Sequence, residues 1–234
     1  KIDVKDWDCD FLSFSGHKMC GPSGIGVLYG KSELLNKMDP YLLGGGSNAR
    51  FDAQGDLILR EVPFKFEAGT PPIEQVLGLG AAAEYLMNIG MENIQEYEFT
   101  LRNYLVAKLQ QLDNVILYNS AAETGIVTFN VKDVFPQDVA SYLSHQGIAV
   151  RSGLHCAKIL PDILKVPGTV RASLYFYNTF AECDQLVEAL KGCNLETSVD
   201  IFFSEGKLWM KCLKIPQFYE PLLWITINIP RINP

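Results

Sequence analysis

Three residues in this chain of 234 amino acids have side chains suited to chemistry on an amino acid. Lys18 follows a Ser-Gly-His turn, Cys156 lies in a glycine-containing loop beside Arg151 and His155, and Arg171 interrupts an apolar run. A lysine amine forms Schiff bases with carbonyl cofactors, and a cysteine thiolate is a strong nucleophile. A guanidinium binds a carboxylate through two parallel hydrogen bonds. The combination predicts chemistry on an amino acid held by pyridoxal phosphate, with a thiol as the second reactant.

Each of these residues also has an explanation that involves no chemistry. A lone lysine is most often a solvated charge, and a cysteine is often a small buried hydrophobic residue, a description that suits Cys9 or Cys183. Cys156 differs from those two because positive charge nearby favours the reactive thiolate. An arginine within an apolar strand is unfavourable unless it is paired. Arg171 is therefore expected either to make a structural ion pair or to bind a substrate carboxylate.

Four further residues are candidates for binding a phosphate group. Ser15 and His17 flank the turn before Lys18 and could contact a phosphate or a ring held against that lysine. Gly69 and Thr70 precede a predicted helix and could offer a backbone N–H group and a hydroxyl to a phosphate. An ordinary helix N-terminus is the competing explanation for the second pair.

Composition excludes several classes of function. The net charge of −7 argues against nucleic acid as the main partner, because phosphate binding needs a basic face. No apolar run approaches the length that spans a bilayer. The six cysteines include no Cys-x-x-Cys pair, so no metal site is expected. No secretion signal is visible, and we expect reduced thiols and a cytoplasmic location.

The order of apolar runs and turns predicts an α/β protein. Strands are predicted over residues 7–14, 25–29, 115–117, 125–131, 147–151 and 170–175. Helices are predicted over residues 32–38, with Ser32 as the cap, and over 73–87, 91–112, 137–145 and 181–191. Residues 57–59 and 64–66 alternate as in paired strands or an arm, and the glycine run 44–46 predicts a flexible stretch. Strands and helices alternate from residue 114 to residue 193, as in a compact α+β domain.

The two ends of the chain differ from its middle. Residues 204–234 hold two of the three tryptophans and four of the twelve prolines without a clear period. This favours a poorly ordered extension over an apolar docking strand. The chain begins with lysine, close to the first strand and the Lys18 turn. We therefore expect it to be the C-terminal part of a longer protein.

Four stretches of sequence resemble one known family in order and spacing. They are residues 14–22, 66–71, 147–157 and 171–179. The chain resembles, over about residues 3–203, the SUF-type pyridoxal-phosphate-dependent cysteine desulfurases of the class V aminotransferase family. The resemblance implies part of the pyridoxal-phosphate-transferase fold (fold type I). Residues 1–90 would end the large cofactor-binding domain, 91–203 would form the small C-terminal α+β domain, and 204–234 would be an atypical tail.

The resemblance also implies a role for each candidate residue. Lys18 would hold the cofactor and move the α-proton, and Ser15 and His17 would bind the cofactor's phosphate. The protein would be a homodimer with a shared active site, in which Gly69 and Thr70 would reach the phosphate of the other subunit's cofactor. Arg171 and Arg151 would bind the substrate, and His155 would support the loop. Cys156 would attack the sulfur of L-cysteine, which gives a persulfide and L-alanine, and a sulfur-acceptor protein of iron–sulfur cluster assembly would receive the sulfur.

Three departures from the family matter, and the first is the tail after about residue 203, which has no recognised counterpart in the family. Leu154 stands where relatives often have a polar residue. The chain also lacks the upstream half of the large domain, which in the family supplies a ring-stacking histidine, an aspartate on the pyridine nitrogen and a glutamine. The alternatives are selenocysteine lyase activity, and an inactive fragment that serves only as a dimerisation or acceptor-docking module. An ordinary class V transaminase is less favoured, because it has no need of a thiol.

Overall fold

The computed structural model describes residues 2–197, which form two compact units. The first comprises Lys1–Gln95 and the second begins at Glu96. The division falls inside one helix, Met91–Leu109. The predicted tail at 204–234 lies outside the described residues. Within the described part, no helix has the length and apolar content needed to cross a membrane.

The first unit opens with a β-hairpin that carries the lysine turn. Strand β1 (Phe11–Ser15) pairs antiparallel with β2 (Gly26–Gly30), and a short 3₁₀ turn, Gly16–Lys18, follows β1 directly. A Cβ atom on Gly16 would lie 2.7 Å from Ile25 Cγ2, so this close approach requires glycine.

Helix α1 (Ser32–Lys37) begins at Ser32, the residue that was predicted to be the cap before the helix. Lys31 occupies the N-cap position, and no side chain accepts a capping hydrogen bond there. The prediction that Ser32 caps this helix was therefore wrong. Lys31 is instead held by Asp8 and Asp10, whose carboxylates lie 2.8 and 2.9 Å from its ammonium group. Those ion pairs tie the start of α1 to the segment before β1.

A second hairpin differs from the sequence-based expectation. Strand β3 (Asn48–Phe51) pairs with β4 (Leu57–Leu59), whereas Phe64–Phe66 forms a 3₁₀ turn. The pairing of 57–59 with 64–66 was therefore wrong. The Asp52 carboxylate explains the outcome, because it accepts hydrogen bonds from the backbone N–H groups of Gln54 and Asp56, at 2.9 and 2.7 Å, and closes a tight turn between β3 and β4.

Two long helices follow in the predicted order. Helix α2 (Ile73–Ile89) buries Leu79, Ala82 and Leu86, which recur at spacings of three and four residues. It ends at Gly90, whose φ of 93° stops the helix and turns the chain into α3 (Met91–Leu109).

The second unit is built on a four-stranded antiparallel sheet in the order β5–β6–β8–β7. Its strands are β5 (Val115–Leu117), β6 (Ile126–Val131), β7 (Arg151–Gly153) and β8 (Thr169–Ser173), and its further helices are α4 (Pro136–His145), α5 (Ile159–Leu164) and α6 (Phe180–Lys191). The predicted strand over 147–151 was misplaced, since β7 only begins at Arg151. Helix α5 was not predicted; it contains Pro161 in its first turn, where a helix tolerates proline.

The sheet of the second unit has one apolar and one polar face. Alternate residues of a strand point to opposite faces. Val127, Phe129, Val170 and Ala172 are buried in a core with the leucines of α3, among them Leu101 and Leu105. The other face carries Thr128 and Asn130 of β6, and Thr169 and Arg171 of β8. The polar face therefore holds the predicted arginine.

Substituting Phe129 tests this core. Phe129 is 0% exposed, so Phe129→Ala is expected to lower the free energy of unfolding by about 3–5 kcal/mol through lost burial and a residual cavity. Ile163→Ala is the matched control, because Ile163 is 70% exposed. Chemical denaturation of the two variants and the parent chain gives the comparison. Equal losses for both variants would contradict the core assignment.

Candidate active site

A tight turn presents the Cys156 thiol to solvent. Strand β7 ends at Gly153, and the turn closes where the Ala157 N–H group donates to the Leu154 carbonyl at 2.8 Å. Its two central residues, His155 and Cys156, have φ values of 52° and 63°. Positive φ at both central positions is the combination of the type I′ turn. Cys156 is exposed, as a reactive thiol must be.

Two arginines lie beside this turn. Arg151 of β7 is directly opposite Arg171 of β8 in the strand register. The Arg151 Nη2 group donates to Cys156 Sγ at 3.3 Å, and the Arg171 Nε group donates to Ser173 Oγ at 3.1 Å. Neither guanidinium makes an ion pair with a carboxylate of the described residues. Like charges directly opposite each other repel, so an anion bound here would relieve that repulsion.

His155 connects the turn to the neighbouring strand. Its Nε2 atom lies 2.9 Å from both the carbonyl and the hydroxyl oxygen of Thr169, which is 1% exposed. Its Nδ1 atom is buried and has no hydrogen-bond partner within residues 2–197. Burial lowers the pKa of His155 below its usual value, and Arg171 and Arg151 lower it further, against the opposing effect of the Thr169 hydrogen bond. The ring is therefore neutral near pH 7.

The first unit places three candidate donors at one turn. Ser15 is the last residue of β1, and His17 and Lys18 follow in the 3₁₀ turn with exposed side chains. The turn is braced from inside by the Gly16 carbonyl, which accepts from the N–H groups of Met19 and Gly21, each at 3.0 Å. A hydroxyl, an imidazole and an amine thus lie within four consecutive positions.

Gly69 and Thr70 lie in an exposed segment that the glycine run 44–46 supports. The Gly46 N–H group donates to the Ala68 carbonyl at 3.3 Å. A Cβ atom on Gly44 would lie 2.0 Å from the Ala68 oxygen, and one on Gly46 would lie 2.3 Å from the Glu67 oxygen. The expected flexible stretch is therefore a close backbone contact that only glycine permits.

The structure thus gathers seven of the nine candidates into two groups, and the other two, Gly69 and Thr70, lie in the exposed segment described above. Ser15, His17 and Lys18 share a turn of the first unit. The second group is Arg151, His155, Cys156 and Arg171 in the second unit. Two contributing residues, Thr169 and Ser173, were not identified from the sequence. They could have been found by strand alternation, since positions 169, 171 and 173 share one face. Within the described residues, no group of three or more His, Cys, Asp or Glu side chains could hold a metal ion.

Comparison with known families identifies the class of protein. The profile of the family described as aminotransferase class-V matches residues 1–186. The chain therefore belongs to the class V aminotransferase family. Its mixed α/β structure is a part of the pyridoxal-phosphate-transferase fold, fold type I.

Individual relatives within this family have more specific names. A cysteine desulfurase of Haloferax volcanii is 47% identical over 191 residues, which cover 81% of this chain and 45% of the relative. A probable cysteine desulfurase of Halalkalibacterium halodurans is also 47% identical over 191 residues, covering 82% of this chain and 47% of the relative. The chain thus spans about half the length of the curated relatives it matches.

Solved structures give the same picture. The crystal structure of the cysteine desulfurase CsdA from Escherichia coli matches with a TM-score of 0.76 at 36% identity, covering 85% of this chain and 48% of that one. The apo structure of a cysteine desulfurase from Thermococcus onnurineus matches with a TM-score of 0.77 at 39% identity, covering 80% and 48%.

Alkylation should distinguish the cysteines. Burial raises the pKa of Cys183 and of Cys193 to about 11, whereas Cys20 and Cys156 are exposed. Iodoacetamide at neutral pH is expected to label Cys20 and Cys156 and to spare Cys183 and Cys193. Peptide mass mapping measures the labelling, and the same reaction in denaturant, where all thiols react, is the control. Rapid labelling of Cys183 in the folded chain would contradict the burial described here.

The glycine run gives a second test. A methyl group on Gly46 must push the 67–69 segment away, so Gly46→Ala is expected to destabilise the chain by about 1–3 kcal/mol. Gly45→Ala is a matched control, because a Cβ atom on Gly45 meets nothing within 4 Å. Thermal unfolding of both variants measures the difference. Indistinguishable midpoints would show that the 44–46 contact is loose.

Proposed function

We propose that this chain forms part of the active site of a pyridoxal-phosphate-dependent cysteine desulfurase. In this reaction L-cysteine gives L-alanine, and its sulfur is carried as a persulfide on Cys156. The observation that carries the proposal is the exposed Cys156 thiol held by the Arg151 guanidinium, beside the unpaired Arg171. The relatives with 46–47% identity that are named cysteine desulfurases or probable cysteine desulfurases support it.

The donor set of the first unit fits pyridoxal phosphate. When bound, the cofactor supplies an electron sink for the bonds at the substrate's α-carbon. The Lys18 amine is exposed and can hold the cofactor's carbonyl carbon or take the α-proton. Ser15 and His17 offer a hydroxyl and an imidazole to the phosphate. Gly69 and Thr70 would serve the phosphate of a second subunit in a homodimer.

The second unit supplies the sulfur-transfer step. The Cys156 thiolate attacks the sulfur of the bound cysteine, and an S–S bond forms while the substrate's C–S bond breaks. The electron pair of the broken bond stays with the substrate carbon, which takes up a proton and becomes the methyl group of alanine. The Arg151 N–H group stabilises negative charge on Cys156 before the attack.

The two opposed arginines bind the substrate in this proposal. Arg171 offers its guanidinium to the carboxylate of the amino acid, and Ser173 orients that group by accepting from Nε. A bound carboxylate also reduces the repulsion between Arg171 and Arg151. The terminal persulfide sulfur then passes to an acceptor protein, which we place in iron–sulfur cluster assembly of the SUF type, in the cytoplasm. The short loop between Arg151 and Cys156 supports the SUF assignment.

A second candidate is a module that only dimerises or docks the acceptor. Selenocysteine is the alternative substrate, since the same clamp and thiol accept the selenium analogue. Competition between the two amino acids would decide between them.

Substitution of the lysine and the cysteine tests the proposal. Pyridoxal phosphate added to the purified chain should give a visible absorbance band that Lys18→Ala abolishes and Cys156→Ser retains. Persulfide formed from L-cysteine should disappear in both variants. Cofactor absorbance and mass-detected persulfide are the measurements.

Cys20→Ser is the matched control for the cysteine substitution, since Cys20 is also exposed. It should keep both signals. Persulfide that persists in Cys156→Ser would refute the role of Cys156. A parent chain that gives no absorbance band would favour the docking module.

A further inference from the structure

The turn that carries Cys156 needs support from outside itself. His155 and Cys156 are consecutive non-glycine residues with φ values of 52° and 63°. A side chain at positive φ is sterically disfavoured, and residues remain there only when surrounding contacts hold them. The closing hydrogen bond from Ala157 to Leu154 is a contact within the turn. Contacts to other elements must therefore stabilise it.

The imidazole of His155 supplies such a contact. Its Nε2 atom is 2.9 Å from the Thr169 carbonyl oxygen, which can only accept. Nε2 must therefore carry the proton, and the neutral ring has its lone pair on Nδ1. The Nδ1 atom is buried and has no hydrogen-bond partner among the described residues. The ring thus ties the turn to β8 in one tautomer only.

The surroundings oppose a second proton on this ring. Arg151 on β7 and Arg171 on β8 are the charged groups that act on it among the described residues, and Cys156 follows it in the turn. A proton added to Nδ1 would be buried without an acceptor and would place a third positive charge beside two guanidinium groups. Protonation therefore favours a ring that has left the Thr169 contact.

We propose that His155 is a positioning residue for Cys156. The neutral His155 ring, bound to Thr169, keeps the turn in the form in which Arg151 reaches the sulfur. Protonation of the ring releases the turn, so that the thiol loses this contact in acid. The inference rests on the proposed role of Cys156 as the sulfur carrier. Its test uses the thiol and the ring themselves, without measuring catalysis.

Nitrogen NMR of histidine-labelled protein reads the ring directly. The chain has three histidines, and His155→Gln identifies the signal of His155 by its loss. The expected spectrum near neutral pH shows Nε2 protonated and Nδ1 unprotonated. The signal should change to the doubly protonated form only below the ordinary histidine value of about 6.5. A proton on Nδ1 at neutral pH, or an ordinary titration, would overturn the proposal.

The alkylation rate of Cys156 measures the effect of Arg151 on the thiol. Loss of a charged hydrogen bond to sulfur is expected to slow alkylation at neutral pH by about tenfold in Arg151→Ala. His155→Ala should slow it similarly, and adding Arg151→Ala to it should have little further effect. Peptide mass mapping follows Cys156 alone. Independent, multiplying effects of the two substitutions would overturn the proposal.

Two further variants separate positioning from folding. Glutamine can donate to the Thr169 carbonyl but has no proton to gain, so His155→Gln should restore most of the neutral-pH rate and keep the Arg151 effect in acid. In the parent chain the Arg151 effect should fade as the pH drops. His145→Ala removes an exposed histidine of α4 and should match the parent. If glutamine fails to restore the rate, or if the Arg151 effect in the parent persists in acid, the positioning role is excluded.

The outcomes also separate this inference from the proposed function. If the ring and alkylation results hold while no persulfide forms on Cys156, the positioning role stands and the desulfurase assignment fails. If persulfide forms on Cys156 but the His155 variants leave its alkylation unchanged, the desulfurase assignment stands and the positioning role fails.

Discussion

The opposition of Arg151 and Arg171 across β7 and β8 is the constraint on which the candidate site depends. Two guanidinium groups face each other in register, and neither has a carboxylate partner among the described residues. Such a pair is unfavourable on its own, and it persists because the strands are fixed by their other face. Val170 and Ala172 of β8 are buried in the core. A one-residue slip of β8 would expose them and bury Arg171. Core packing thus sets the spacing of the charges.

The thiol depends on the same two strands. Arg151 reaches Cys156 because the chain reverses within four residues of the end of β7, through a turn with two positive φ values. His155 joins that turn to Thr169, two residues from Arg171 on the same face of β8. The sulfur, the two arginines and the histidine are therefore positioned by one pair of strands. In the proposed function, this arrangement would hold the nucleophile in a defined place beside the substrate carboxylate, and such positioning of reacting groups lowers a reaction barrier.

The first unit uses close backbone packing where the second uses strand register. Gly16 lets the lysine turn approach Ile25, and Gly44 and Gly46 let the 44–46 run lie against the segment before Gly69. The Ile25 side chain at Gly16, and backbone atoms of residues 67–69 at Gly44 and Gly46, fill the space in which a Cβ atom would lie. These turns are therefore specified by the absence of side chains. Such close contacts support both of the exposed segments that are candidates for phosphate binding, the Lys18 turn and the Gly69–Thr70 segment.

The sequence by itself indicated the candidate site residues, the long helices and the mixed α/β class, because side-chain chemistry and apolar period are local properties. It also indicated the class V aminotransferase family, which the match over residues 1–186 confirms. The roles assigned to individual site residues and the domain bounds at 90 and 203 stay predictions. The tertiary structure alone decided that β4 pairs with β3, that β7 starts at Arg151, and that the 44–46 run is packed. It alone showed that His155 hydrogen-bonds to Thr169 and that Arg171 hydrogen-bonds to Ser173. These features depend on which strands pair and in which register. Pairing and register are set by the joint burial of residues that are distant in the sequence, so a local sequence pattern does not predict them.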